Sequence, residues 1–146
     1  MPKGEIAMVS QRSDRVAAPN IQVSWGELID KITILEIKEQ RLRSKESVMN
    51  VHNELAALMS VADRVLAKRK DVSALKKQLK SINETLWEIE DKIRAKEAAQ
   101  SFDLEFIQLA RSVYMNNDKR GDLKRRINVL LNSTLGEEKQ YTSYSG

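Results

Sequence analysis

Apolar residues recur at helical spacing along most of the chain, and the pattern opens most clearly at SWGELIDKITILEIK, residues 24–38. Ser24 reads as an N-cap and Glu27 as its N3 partner, a capping box that satisfies otherwise orphaned backbone N–H groups. Val23 and Leu28 take the two positions of a hydrophobic staple, and Asp30 adds negative charge near the first turn, where the helix dipole favours it. At about 100° per residue, Trp25, Leu28, Ile29, Ile32 and Leu35 share one face. Ile34 and Ile37 fall on the opposite side, beside Asp30 and Thr33. Two apolar faces call for cover on two sides. The cover for Ile34 and Ile37 is either a second segment of the chain or a dimer interface.

This first helix is expected to run to about Lys68, because Leu42, Met49, Leu55, Leu58, Met59, Ala62, Val65 and Leu66 continue an apolar stripe. Ser44, Ser47 and Asn50 are weak helix formers that allow a bend, and no Gly or Pro forces one. A second helix, capped by Asp71 or Ser73, follows a short basic link and should fold back antiparallel. Leu75, Leu79, Ile82, Leu86, Ile89 and Ile93 form its heptad seam. Beside the seam runs a polar stripe of Asn83, Trp87, Glu90, Arg94 and Glu97, in which Glu90 and Arg94 can pair. A third helix begins at Ser101 or Asp103, with Phe102, Phe106, Ile107, Ala110, Val113 and Tyr114 on its apolar face. After Asn117 the phase shifts by about 100° to Leu123, Ile127, Leu130 and Leu131. The expectation is a break near residues 116–118, with Asn117 or Asp118 capping a fourth helix. A continuous helix would instead point Asn117, Lys124 and Asn128 at the core. Residues 1–20 read as a flexible arm with a short extended piece at 6–9, residues 21–134 as the bundle, and residues 135–146 as a polar tail.

Composition narrows the classes. With 146 residues, 32% of them charged, and only five Gly and two Pro, the chain fits a long-helix protein of one domain. No cysteine means no disulfide and no thiolate metal site. No apolar run approaches the about 20 residues of a membrane span, and MPKGEIAMVSQRSDR lacks the apolar core of a signal peptide. A cytoplasmic location is expected. The net charge of +4 is modest, but Lys68, Arg69, Lys70, Lys76, Lys77 and Lys80 cluster, as do Lys119, Arg120, Lys124, Arg125 and Arg126. If the third helix is unbroken, the two clusters converge and could hold an anion. No aromatics interleave with them, which disfavours a nucleic-acid stacking platform.

Catalytic chemistry is hard to find. The single histidine, His52, leaves no metal constellation and no triad context, and no glycine loop cradles a phosphate. Glu88, Glu90, Asp91, Glu137 and Glu138 read as solvated helix or tail carboxylates. No catalytic residue, metal or cofactor is called for.

The segments SWGELIDKITILEIK, INETLWEIEDKIRAKE, FDLEFIQLARSVYMNNDKR, LKRRIN and EEKQYTSY together resemble a family of small all-helical bacterial and phage proteins of unknown function, over about residues 21–144. The resemblance implies no established activity. It implies relatives near glycosyltransferase or surface-polysaccharide genes. It also places Trp87, Glu90, Asp91, Arg94, Arg111, Tyr114, Asn117, Asp118, Arg120, Lys124 and Asn128 in the family's signature segments, without roles. A long first helix with an Ile-Asp pair is also similar to the all-helical chorismate mutases. Those enzymes place an arginine three residues before the Asp, where this chain has Glu27. Without that cation a dianionic transition state loses electrostatic stabilisation, and a mutase is set aside.

The sequence therefore predicts an all-α protein: a long antiparallel helical hairpin plus one or two further helices, a three- to four-helix, coiled-coil-like bundle. The first functional expectation is a non-enzymatic interaction or scaffolding module that self-associates through Ile34 and Ile37 or docks on a larger protein. The alternative is an anionic small-molecule site for phosphate, a nucleotide or a nucleotide sugar, with or without catalysis and linked to surface-polysaccharide metabolism. It would be built from Asn83, Glu90, Arg94, Arg111, Asn117, Arg120, Lys124 and Asn128.

Overall fold

The structure of the protein, a computed structural model, describes residues 15–144. The extended piece expected at residues 6–9 lies outside them. Four helices follow in order: α1 (Trp25–Arg41), α2 (Lys45–Lys68), α3 (Lys70–Ala98) and α4 (Leu104–Leu130). They form an all-α bundle, and no described helix is long and apolar enough to cross a membrane.

The first long segment is two helices rather than one. At Leu42 the backbone turns extended, with φ −71° and ψ 142°, and the Ser44 hydroxyl accepts the Ser47 N–H to start α2. Serine does this without Gly or Pro because its hydroxyl offers the backbone a partner outside the helix ladder. α2 then returns along α1, where Lys31 pairs with Glu54 and His52 with Glu39. Arg69 alone separates α2 from α3. Its guanidinium holds both oxygens of Asp71 and reaches the Leu130 carbonyl at the end of α4.

The third apolar segment does not break near Asn117. α4 runs unbroken through residues 116–118, and Lys124 and Asn128 are buried, as a straight helix requires. The expected break rests on the shift of apolar phase and on Asn117 and Asp118 as cap residues, whereas a continuous helix has to bury Lys124 and Asn128. Partners on α1 and the tail offset the cost of that burial, as described below, so no cap is needed. Both α3 and α4 end in Schellman turns. Ser101 N–H donates to Lys96 O and Gln100 N–H to Glu97 O, with Gln100 at φ 52°. Ser133 and Asn132 repeat this against Asn128 and Val129, with Asn132 at φ 49°. Asp103 caps α4 by accepting the Phe106 N–H, and Lys96 beside it holds the Asp103 carboxyl down at about 2.

α3 and α4 make the most extensive helix pair and α1 packs against both. Ile29, Val72, Leu75, Leu79, Leu123 and Ile127 form the core where the three meet, and Trp25, Leu66, Ile82 and Leu131 close around them. Burying each Ile or Leu contributes about 1.5–3 kcal/mol, so this end of the bundle is the well-packed one. Gly26 lets α1 lie close against α4: a Cβ there would lie 2.5 Å from the Lys124 carbonyl oxygen.

Candidate functional site

The polar residues of α1, α3 and α4 meet in a buried seam. Asp30, only 1% exposed, stands on the same face of α1 as Thr33. Arg120 of α4 grips its carboxylate with two donors, Nε to Oδ1 at 2.9 Å and Nη2 to Oδ2 at 2.5 Å. Asn83 of α3 donates from Nδ2 to Asp30 Oδ1 and to Thr33 Oγ1, both at 2.9 Å, and Thr33 Oγ1 donates to the Asp30 carbonyl at 2.7 Å. A forked guanidinium–carboxylate pair with its lone pairs filled is the arrangement that tolerates burial. The Asp30 hydrogen bond raises the Arg120 pKa against the pull of burial.

One turn further along α4, Lys124 Nζ sits between two carboxylates: Glu27 Oε2 of α1 at 2.7 Å and Glu137 Oε1 of the tail at 3.0 Å. Burial draws the Lys124 pKa down, and the two acids outweigh it, leaving the ammonium above its usual range. Glu27 therefore turns toward Lys124 while Ser24 caps α1 from its hydroxyl. Another turn along, Asn128 Oδ1 accepts the Gly26 N–H at 2.7 Å, satisfying a donor at the open start of α1.

The tail after α4 is tied back over the same helix. Ser133 Oγ accepts the Trp25 N–H. Lys139 Nζ donates to the Asn117 carbonyl at 3.0 Å and lies 3.9 Å from Asp118. Gly121 makes room for that lysine, since a Cβ there would stand 2.6 Å from Lys139 Nζ. The Tyr144 ring meets the Tyr114 ring edge-on, with centroids 5.1 Å apart. Its hydroxyl bonds to the Asp118 carboxylate, which raises the Tyr144 pKa. Between tail and helix lies a recess of about 690 Å³, walled by Tyr114, Asn117, Arg120 and Lys124 on one side and by Glu137, Lys139, Tyr141 and Tyr144 on the other.

Arg120 also borders a second recess of about 380 Å³ on the far side of the seam, with Asn83, Trp87, Glu90, Arg94, Ile34 and Ile37. Glu90 and Arg94 make their i,i+4 pair there, with the Arg94 side chain 81% exposed. Ile37 is already covered within the chain and Ile34 is half-buried.

Of the eight residues expected to form an anion site, Asn83, Arg120, Lys124 and Asn128 come together along the seam. Asn117, Arg120 and Lys124 reach the larger recess, and Asn83, Glu90, Arg94 and Arg120 reach the smaller one. Arg111 is exposed and borders neither recess. The two basic clusters do adjoin, and carboxylates pair Arg69, Lys76, Lys80 and Arg125, through Asp71, Glu36 and Asp122, just as they pair Arg120 and Lys124. Local spacing alone makes Asp30 a helix-dipole charge and Glu27 a cap partner, whereas Asp30 is the buried acid that holds Arg120 and Glu27 an acid that holds Lys124. Their neighbours Ile34 and Ile37 were the signal that Asp30 and Thr33 face an interior. Glu137, Lys139 and Tyr144 carry no periodic signal, because they lie outside any helix. Among the described residues, no group of three or more His, Cys, Asp or Glu is placed to hold a metal ion.

Residues 19–145 match the family of unknown function DUF6165, and the chain belongs to that family. No curated protein and no solved structure matches it.

Proposed function

We propose that this member of a family without an assigned activity binds a small anionic molecule in the recess between α4 and the tail. One observation carries the reading: Arg120, Lys124 and Lys139 converge, against the two carboxylates Asp118 and Glu137, on a single recess of about 690 Å³ that three tyrosines also border. That volume lies within the about 300–1,000 Å³ of small-molecule sites, where a few polar groups orient a ligand against apolar walls. The seam behind it supports the reading, since Asp30 fixes the Arg120 guanidinium before any ligand arrives. The function proposed is binding, not turnover. A thermal-shift screen of phosphates, nucleotides and nucleotide sugars tests it. The sugars are included because the resemblance implies relatives near glycosyltransferase or surface-polysaccharide genes. Ligand in large excess over its dissociation constant must raise the melting temperature, and no shift at millimolar concentrations rejects the site.

A second reading, a helical module that self-associates, has its own observation. Leu104 is 68% and Ile107 51% exposed on α4, in line with the exposed Ala110 and Tyr114. Two copies pairing α4 against α4 would cover this stripe, with the small Ala110 near its centre permitting close approach. Light scattering with Ile107→Asp decides it. A dimer that becomes a monomer supports the reading, and a monomer at high micromolar wild-type protein ends it.

A further inference from the structure

Resting on the anion-site reading above, we infer that the recess takes a nucleotide-class ligand, a phosphate carried on a planar ring. We further infer that Glu137 is the internal anion which that phosphate displaces from Lys124. The two acids on Lys124 differ in how they are held. Glu27 belongs to the first turn of α1, while Glu137 belongs to a segment without helix or strand. Glu137 is the more buried of the two acids, 18% exposed against 47% for Glu27, but it can move away without breaking a helix ladder, so Glu137 is the partner that yields. The lysine it leaves is 11% exposed, and a buried ammonium with one carboxylate removed favours a replacement anion.

Arg120 is placed to share that anion. It lies four residues before Lys124 on the same face of α4. Asp30 takes donors at Nε and Nη2 of the five a guanidinium carries. The fork thus stays anchored while it serves a phosphate. The ring end of the ligand is set by Tyr114 and Tyr144. Their edge-on contact joins helix to tail at the other end of the recess. Ten residues of helix between Tyr114 and Lys124 span about 15 Å. A bare phosphate does not bridge that distance, and an extended nucleoside diphosphate does.

Calorimetric titration of the full chain with pyrophosphate, ADP, UDP and the two nucleosides tests the inference, using wild type, Glu137→Gln and Tyr114→Ala. ADP or UDP should bind at least about tenfold more tightly than pyrophosphate and than its own nucleoside, since the ligand joins two weak subsites. Glu137→Gln should raise nucleotide and pyrophosphate affinity about three- to tenfold and leave nucleoside binding unchanged. Tyr114→Ala should bring the nucleotides down to the level of pyrophosphate. Pyrophosphate binding as tightly as either nucleotide removes the ring from the inference and leaves the anion site standing. Equal affinities in wild type and Glu137→Gln overturn the displacement. Absence of binding by every anion overturns both the inference and the reading beneath it.

Discussion

Arg120 and Lys124 stand four residues apart on α4 and both hold carboxylates, yet the two pairs belong to different kinds of structure. Arg120 meets Asp30, which is 1% exposed, deep between three helices, and further held by Asn83. Lys124 meets Glu27, whose side chain is 47% exposed, and Glu137 on the tail. The chemistry is the same and the surroundings differ. A pair locked inside the bundle fixes helix positions, because leaving either charge alone is expensive. A pair made across a tail segment joins no second helix on the tail's side, and the proposed site requires that it be exchangeable for another anion. The bundle thus carries on one helix face a cation held among helices and an ion pair shared with the tail, the contrast on which the proposed anion site rests.

The contrast can be broken from the seam outward. Arg120→Ala should have the largest effect, destabilising the protein by about 3–5 kcal/mol in urea denaturation, because it strands a buried carboxylate. A loss below about 1 kcal/mol would mean Asp30 is not confined as described. Gly26→Ala comes next. Its Cβ would press on the Lys124 backbone oxygen rather than on a flexible side chain, so α1 must move off α4, at about 1–3 kcal/mol. Glu137→Gln should cost less, about 1–2 kcal/mol in the same experiment, since Lys124 keeps Glu27. A cost equal to that of Arg120→Ala would erase the distinction between seam and tail.

Alkaline titration gives the smallest effect. The raised pKa values of Lys124 and Tyr144 mean that their contacts stabilise fully below the usual Lys and Tyr ranges and are lost as pH rises through the raised values. Limited proteolysis should therefore cut residues 135–144 faster above about pH 10.5, before the helices unfold by circular dichroism. Simultaneous loss of tail and helices would show that the tail is part of the cooperative core.

Much of the bundle was legible in the chain. The α1 start, the Leu75–Leu79–Ile89 seam and the Asp103 cap depend on local spacing, and local spacing is what periodicity reports. The two boundary errors share a cause. Ser44 ends one helix and starts another through a single hydroxyl, a choice that apolar phase does not encode. In the sequence, Lys124 and Asn128 argue for a break because their partners, Gly26, Glu27 and Glu137, are about 100 residues away or in a tail without pattern. For the site, residue types were readable and the pairing was not. Arg120 and Asn83 were candidates, but Asp30, which joins them, was assigned to the helix dipole. Nothing in the spacing of Lys139 predicted that it would lie across Gly121.

An amide-resolved NMR titration of the full chain with ADP tests the account most directly. Saturable shifts should concentrate at residues 114–124 and 137–144, with the amides of Asp30 and Asn83 nearly unmoved. Saturable shifts confined instead to the basic turn at residues 68–80 would contradict it, as would a spectrum that ADP leaves unchanged.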